Sequence, residues 1–305
     1  MYDLIIIGAG PAGITAAVYA ARQRMDLLVI TKDIGGQAAI SGDVENYTGY
    51  QFITGPDLAG KFEEHLRNYK IGLKENEEVL ELKKRGEVVW VRTQRQEYEG
   101  RTAIIASGKK SRELNVPGER EFKNRGLSYC ATCDAPLFTG KAVAVIGGGN
   151  SALDTSIQLI KIAKRIYIVN ISSQLGGDEI LRETVKHNEK VTVFNNAQVT
   201  EITGDKMVKA VKIKQEGKEQ TLAVEGVFVE IGLVPNTNFA PDVEKNQRGE
   251  IKINSANETN IPGIFAAGDV TDVPEKQIII AAGEGSKASL NVFKYLAQHN
   301  LKLAK

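Results

Sequence analysis

Cysteine is nearly absent from this 305-residue chain: two occur, Cys130 and Cys133, beside three histidines, His65, His187 and His299, and a single tryptophan. A secreted domain stapled by disulfides carries more cysteines in fewer residues. A structural zinc needs four protein ligands, which one Cys-x-x-Cys and three dispersed histidines do not supply, so no metal site is expected. An excess of either charge is missing too, since 39 Lys+Arg face 38 Asp+Glu for a formal net charge of +1. That balance excludes the strongly basic face of a nucleic-acid or anionic-membrane binder. The longest apolar runs, residues 4–7 and 278–282, fall far short of the ~18 residues of a membrane span. Met1-Tyr2-Asp3 leads directly into such a run, with no basic n-region or small-residue cleavage site. A signal peptide is therefore not expected, and a cytoplasmic location is. Gly-x-Ser-x-Gly, His-Glu-x-x-His and Walker A patterns are also lacking, which leaves serine hydrolase, zincin and P-loop chemistry without support.

What is present is the composition of a folded globular chain, 42% apolar and 25% charged, at about twice the ~150 residues of one domain. Residues 3–7 are a short apolar run, followed by Gly8-Ala9-Gly10-Pro11-Ala12-Gly13, an alanine-rich segment over 14–21 and a second apolar run over 26–30. This is strand, tight turn, buried helix and parallel strand, the opening of a Rossmann-type fold. In such a turn Gly8 permits the bend, Gly10 lets backbone N–H groups approach a pyrophosphate, and Gly13 lets helix meet strand. The acidic residue expected after the second strand is displaced to Asp33, behind Thr31-Lys32, and reads as an ordinary loop aspartate. Residues 79–105 alternate apolar and polar patches between charged turns, and predict an antiparallel layer.

The pattern restarts at Ala142 with an apolar run, Gly147-Gly148-Gly149-Asn150-Ser151-Ala152, a helix-period segment over 153–163 and a strand over 166–169. Gly147, Gly149 and Ala152 are the GxGxxA form of the same turn, so the chain carries two dinucleotide-type units. The second is either an occupied site or a scaffold that has lost its ligand. Its second strand ends Asn170-Ile171-Ser172-Ser173-Gln174-Leu175-Gly176, without the arginines that neutralise a 2′-phosphate. Short strands are expected over 191–194, 208–214 and 227–231, and a long helix over 277–298. Cys130-Ala131-Thr132-Cys133-Asp134 has the spacing of a reversible disulfide beside an acid. Asp134 is either the proton donor and acceptor of thiol exchange or a helix N-cap. In Gly268-Asp269, followed by Lys276-Gln277 and a helix, the aspartate suits a ribityl hydroxyl, and the helix N-terminus suits an electron-rich flavin.

Taken together, these segments resemble the low-molecular-weight thioredoxin reductase family of flavoprotein disulfide reductases over essentially the whole chain. The resemblance includes Gly35-Gly36-Gln37 and Glu45-Asn46-Tyr47. From Gly147 onward the chain is also similar to the flavoprotein subunit of alkyl hydroperoxide reductase, notably in Gly232-Leu233-Val234-Pro235-Asn236-Thr237-Asn238 and in residues 276–281. The resemblance implies an α/β fold of two Rossmann-like three-layer ββα dinucleotide-binding domains, the second inserted into the first. The FAD-binding domain would comprise 1–112 and 238–305, and the pyridine-nucleotide-type domain, which carries the redox pair, 113–237. It further implies a homodimer in which the inserted domain rotates, so that nicotinamide and disulfide use one flavin face in turn.

FAD contacts carry over to Gly8, Gly10, Gly13, Gly36, Gln37, Asn46, Asp269 and Gln277. The family's motif implies Cys133 facing the flavin and Cys130 attacking the protein substrate, with Asp134 beside them the best placed acid or base of the exchange. NADPH-dependent members carry His-Arg-Arg and a further Arg where this chain has Asn170-Ile171-Ser172. NADH is therefore expected in preference to NADPH, at Gly147, Gly149, Ala152 and Asn170, with the Asn170 carbonyl or Ser172 accepting the ribose 2′-hydroxyl. A ferredoxin is the alternative donor, and a thioredoxin- or glutaredoxin-like protein the expected acceptor. A ferredoxin–nicotinamide reductase or NADH oxidase on this scaffold would not need the cysteines, whereas a flavin-based redox sensor would.

Overall fold

The computed structural model describes residues 1–41 and 43–299. In chain order it begins with β1 (Tyr2–Ala9), α1 (Pro11–Arg22), β2 (Leu27–Ile34), α2 (Gly36–Ala39), β3 (Asp43–Val44), β4 (Ile53–Thr54) and α3 (Gly55–Arg67). There follow β5 (Gly72–Lys74), β6 (Val79–Arg85), β7 (Val88–Thr93), β8 (Glu97–Ile105) and β9 (Lys109–Ser111). Next come α4 (Glu119–Phe122), β10 (Leu127–Ser128), α5 (Ala131–Asp134), a 3-10 turn over Ala135–Phe138, β11 (Ala142–Ile146), α6 (Asn150–Ile160), β12 (Arg165–Val169) and α7 (Glu179–Lys186). Strands β13 (Val191–Phe194), β14 (Ala197–Gly204), β15 (Val208–Gln215), β16 (Lys218–Ala223), β17 (Gly226–Val229), β18 (Leu233–Pro235) and β19 (Ile264–Ala266) precede the terminal α8 (Ile278–Gln298). Two compact units result, one from residues 1–110 and from 234 onward, the other from residues 111–233.

In the first unit the parallel strands lie in the order β5, β2, β1, β8, β19. Leu4, Ile5, Ile6 and Ile7 are all buried, because a parallel strand covered on both faces needs an unbroken apolar run rather than an alternating one. The layer expected over 79–105 is antiparallel only in part. Residues 97–100 of β8 pair antiparallel with β7, but from Gly100 onward the same strand runs parallel to β1, and over 103–105 also to β19. The uninterrupted Ala103-Ile104-Ile105, fully buried, belongs to the two-faced parallel core, whereas the alternating residues before it belong to the meander.

The second unit repeats the plan with a parallel sheet in the order β10, β17, β11, β12, β13 and an antiparallel layer β14, β15, β16. Helix α6 begins three residues before the expected position, because Gly149, extended at φ −93° and ψ −174°, already serves as its N-cap. The chain leaves the first unit in β9 and returns in β18. Asn236 N–H bonds the Gly108 carbonyl at 3.0 Å on the first-unit side, and Arg112 N–H bonds Gly232 at 2.9 Å on the second-unit side. No helix among the described residues is long and apolar enough to cross a membrane.

Small residues let α1 and α8 approach closely. The buried face of α1 includes Ala12, Ala16, Ala17 and Ala20; that of α8 includes Ala281, Gly285, Ala288, Val292 and Leu296 at helical spacing. A Cβ on Gly285 would collide with the Ala12 carbonyl oxygen, whereas one on Gly283, two residues earlier and exposed, meets nothing within 4 Å. Gly285→Ala is therefore expected to destabilise the protein by about 1–3 kcal/mol through overpacking. Gly283→Ala is expected to be neutral or to stabilise by up to about 1 kcal/mol through helix propensity. Urea unfolding of the two variants side by side checks this; equal effects would contradict the packing argument.

Candidate functional site

Each unit gathers its candidate residues at the carboxyl ends of its parallel strands, where open α/β sheets take ligands. In the first, Gly8 has a φ of +104°, and a Cβ there would strike the Ala106 carbonyl. A Cβ on Gly13 would strike the Gly8 carbonyl, while Gly10 faces nothing within 4 Å. The outer glycines thus close helix onto strand and the middle one stays open to an approaching ligand. Pro11 at the start of α1 fixes a helical φ without removing a needed N–H. Gly36, at φ +51°, would place a Cβ 3.3 Å from the Gly10 Cα, so α2 borders the same opening.

Gln37 Nε2 donates to the Lys109 carbonyl at 3.3 Å, and Asn46 Nδ2 to Gln277 Oε1 at 3.1 Å. Gln277 is the N-cap of α8, whose first-turn N–H groups have no partners within the helix. Burial raises the Asp269 carboxyl above its ordinary value, against the pull of Lys276 and Lys109. The structure therefore brings Gly8, Gly10, Gly13, Gly36, Gln37, Asn46, Asp269 and Gln277 into one unit. Asp33 is exposed at the end of β2, and the Thr31 hydroxyl, buried, accepts the Ala9 N–H at 3.1 Å.

The second turn has the same construction. Gly147, at φ +136°, would drive a Cβ into the Glu230 carbonyl and to 3.3 Å from the Ala152 Cβ, and Gly149 again faces nothing within 4 Å. Asn170 differs from expectation. It is 3% exposed, its Nδ2 donates to the Ser172 and Gln174 carbonyls and to Asn195 Oδ1 at 3.1, 2.9 and 2.9 Å, and its Oδ1 accepts the Ser172 N–H at 3.2 Å. A Cβ on Gly148 would collide with that Oδ1. The amide is turned into its own loop and organises it, rather than facing outward as a ribose acceptor. A short strand end followed by a glycine-rich loop needs internal partners for its backbone groups, and Asn170 supplies them.

Cys130 and Cys133 form a disulfide, with their Cα atoms 5.4 Å apart. Cys130 caps α5, its Sγ accepting the Cys133 N–H at 3.1 Å, while Ser128 Oγ accepts the Cys130 N–H at 2.9 Å and donates to the Cys130 carbonyl at 3.2 Å. Cys133 is exposed and Cys130 half-buried. Asp134 follows directly; among the described residues its side chain makes no capping hydrogen bond to the 3-10 turn it precedes. The preceding Tyr129 donates to Glu119 Oε1 at 2.7 Å, and the buried Glu119 also takes the N–H groups of Leu114 and Asn115 at 2.6 Å each. Burial, then the Glu119 carboxylate, raise the Tyr129 phenol well above its ordinary value. The histidines lie elsewhere: His187 pairs with Glu183, His299 with Tyr295, and His65 packs by Tyr69. No group of His, Cys, Asp or Glu among the described residues could hold a metal.

Two acids escaped the sequence reading. Ser128 of β10 pairs with Phe228 of β17, so Cys130 and Glu230 each follow two residues beyond that pair. Glu230 Oε1 accepts the Thr155 hydroxyl of α6 at 3.0 Å. Burial pushes its carboxyl up to about 7, with Asp154 adding and the Thr155 and Ser151 hydroxyls opposing. Asp154 is itself raised by burial and by Asp178. The other overlooked acid is Glu250, which pairs with Lys109 at 2.9 Å and Lys276 at 3.3 Å. Neither sits in a recognisable motif; each becomes notable only through its tertiary surroundings.

Residues 2–285 match the family model described as pyridine nucleotide-disulphide oxidoreductase. A crystal structure of Lactococcus lactis thioredoxin reductase in the FR conformation is similar at 35% identity and a TM-score of 0.88, covering 98% of this chain and 100% of that one. Over 301 residues the chain is 40% identical to a protein of Bacillus subtilis (strain 168) named NADH dehydrogenase, covering 98% of this chain and 59% of the relative. Over 302 residues it is 39% identical to the F subunit of alkyl hydroperoxide reductase from Staphylococcus aureus (strain MRSA252), covering 98% and 60%. The chain thus spans about three-fifths of the length of the curated relatives it matches.

Glu230 makes stability pH-dependent. Its folded value of about 7 lies above the ordinary 4.5, so the folded chain holds the proton more tightly than the unfolded one. The stabilisation is complete below about pH 4.5 and is lost as pH rises through about 7. Glu230→Gln, which cannot ionise, is expected to gain roughly 2–3 kcal/mol on the unsubstituted protein between about pH 5 and about pH 8, read by urea unfolding. A difference that stays flat with pH would contradict it.

Proposed function

Because the chain belongs to the pyridine nucleotide-disulphide oxidoreductase family, we propose that it is an FAD-dependent disulfide reductase that passes electrons through Cys130 and Cys133 to a thioredoxin- or glutaredoxin-like protein. The observation that carries this reading is the Cys130–Cys133 disulfide held in a unit that also has a dinucleotide turn. The first unit fits FAD. Its open Gly10 would admit a pyrophosphate against the α1 N-terminus, Asp269 would offer an acceptor to a ribityl hydroxyl, and the α8 N-terminus would favour a ring that gains negative charge. When bound, the flavin supplies the two-electron relay between a nicotinamide donor and the disulfide. The proposed working state is a homodimer, in line with the family resemblance.

In the reduced chain Cys130 is assigned the attack on the partner and Cys133 the flavin side. The Cys133 N–H aimed at Cys130 Sγ favours a thiolate there, and the thiolate is the nucleophile. Cys130 Sγ displaces one partner sulfur as a thiolate and forms a mixed disulfide. Cys133 Sγ then attacks Cys130 Sγ, releases the second partner sulfur and restores the Cys130–Cys133 bond. Asp134, beside the pair and engaged in no cap, is assigned the proton carried to a leaving sulfur. With the flavin bound and oxidised, Cys130→Ser is expected to show the long-wavelength charge-transfer absorbance of a Cys133 thiolate, and Cys133→Ser to lack it. The reverse pattern would exchange the two roles.

NADH is the proposed donor. The loop over residues 170–177 contains no lysine or arginine, and with Asn170 turned inward it offers a neutral backbone rim. A 2′-phosphate would lose its charge-assisted partners there, at roughly 1.5–3 kcal/mol each, while a 2′-hydroxyl would not. The relative named NADH dehydrogenase supports the same choice. Anaerobic titration of the FAD-loaded protein is expected to show flavin bleaching at NADH concentrations about one to two decades below those of NADPH. Reduction by a ferredoxin with neither nucleotide effective would move the donor to a protein. Rapid flavin reduction without turnover of any thioredoxin would favour a redox sensor.

A further inference from the structure

Glu250 lies in the segment between β18 and β19, with its side chain 6% exposed. Its Oε1 takes the ammonium groups of Lys109 at 2.9 Å and Lys276 at 3.3 Å, and its Oε2 takes Asn246 Nδ2 at 2.7 Å. The Lys109 and Lys276 side chains are themselves only 14% and 23% exposed, and Lys276 Nζ also donates to the Thr271 carbonyl at 2.5 Å. Burial pushes the Glu250 carboxyl up, but Asn246 and the two lysines outweigh it and hold the group at about 2, so it stays ionised. Buried ion pairs are seldom more stable than apolar packing of the same volume. Fold stability alone therefore does not account for three charged groups in one place.

Their position does. The Lys109 carbonyl receives Gln37, Lys276 directly precedes Gln277, Gln277 bonds Asn46, and both ammonium groups act on Asp269. These are four of the residues that the reductase reading, on which this inference rests, assigns to the flavin. Two lysines against Glu250 and Asp269 leave the group formally neutral; without Glu250 it carries one net positive charge.

We propose that Glu250 is a positioning residue that sets the reduction potential of the flavin, by cancelling and fixing the charges of Lys109 and Lys276 beside the flavin site. Two electrons and one proton leave the ring one negative charge richer, so an added positive charge nearby favours the reduced form and a removed one disfavours it.

The test is the midpoint potential of the FAD-loaded protein, measured anaerobically by equilibration with reference dyes, for Glu250→Gln, Lys276→Met and Lys109→Met. Glu250→Gln is expected to raise the potential and both lysine variants to lower it. Each shift corresponds to about tenfold in the reduced-to-oxidised ratio at fixed poise, or about 30 mV for a two-electron couple. Lys276→Arg, which keeps the charge, is expected to stay at the unsubstituted value. Should Glu250→Gln fail to fold, the lysine variants and Lys276→Arg decide the matter alone. Unchanged potentials with FAD bound, or shifts of one sign in all variants, would overturn the inference and leave the reductase reading intact. A full-length protein that takes up no FAD would instead overturn that reading and the inference with it.

Discussion

Both units depend on the same steric constraint, the closure of a helix N-terminus onto the end of a parallel strand. Gly8 and Gly13 in one, and Gly147 with Ala152 in the other, leave no room for larger side chains because each faces a backbone carbonyl or a neighbouring Cβ. The residue between them, Gly10 or Gly149, is left open. Once helix and strand are locked this closely, the carboxyl ends of the neighbouring strands converge on that opening. Every candidate residue then follows from which strand or helix end reaches it. The Ala12–Gly285 approach extends the constraint in the first unit, since it fixes α8 against α1 and hence where Gln277, the N-cap of α8, stands.

Around these openings the fold buries charge in an uneven way. In the first unit, Glu250, Lys109 and Lys276 compensate one another, with Asp269 beside them. In the second, Glu230 and Asp154 sit near each other and only hydroxyl donors to Glu230 offset their burial. The charges beside one opening are thus matched, whereas those beside the other are acidic.

The redox segment shows how local bonds position chemistry. Ser128 holds both backbone groups of Cys130, and Glu119 ties Tyr129 to Leu114 and Asn115, just past β9. Cys130 stands just past the end of a short strand whose last residue holds it and whose following residue is tied down by Glu119. Its sulfur then caps α5 without any side chain brought from a distant element.

The sequence by itself determined the class of fold and named the candidate residues of each unit. Glycine turns, unbroken apolar runs and the Cys-x-x-Cys spacing are local signals, each set by the conformations of a few consecutive residues. They were sufficient to mark two Rossmann-like units. Tertiary structure decided what depended on residues far apart. Strand β8 changes from an antiparallel to a parallel partner within one run, because burial on two faces begins only where β1 and β19 flank it. Asn170 turns inward because Gly148, Gln174 and Asn195 surround it. Glu230 and Glu250 owe their altered acidity to burial and to partners as far as 141 positions away in sequence, the separation of Lys109 from Glu250. Charge state is a property of surroundings, and a sequence motif does not carry its surroundings with it.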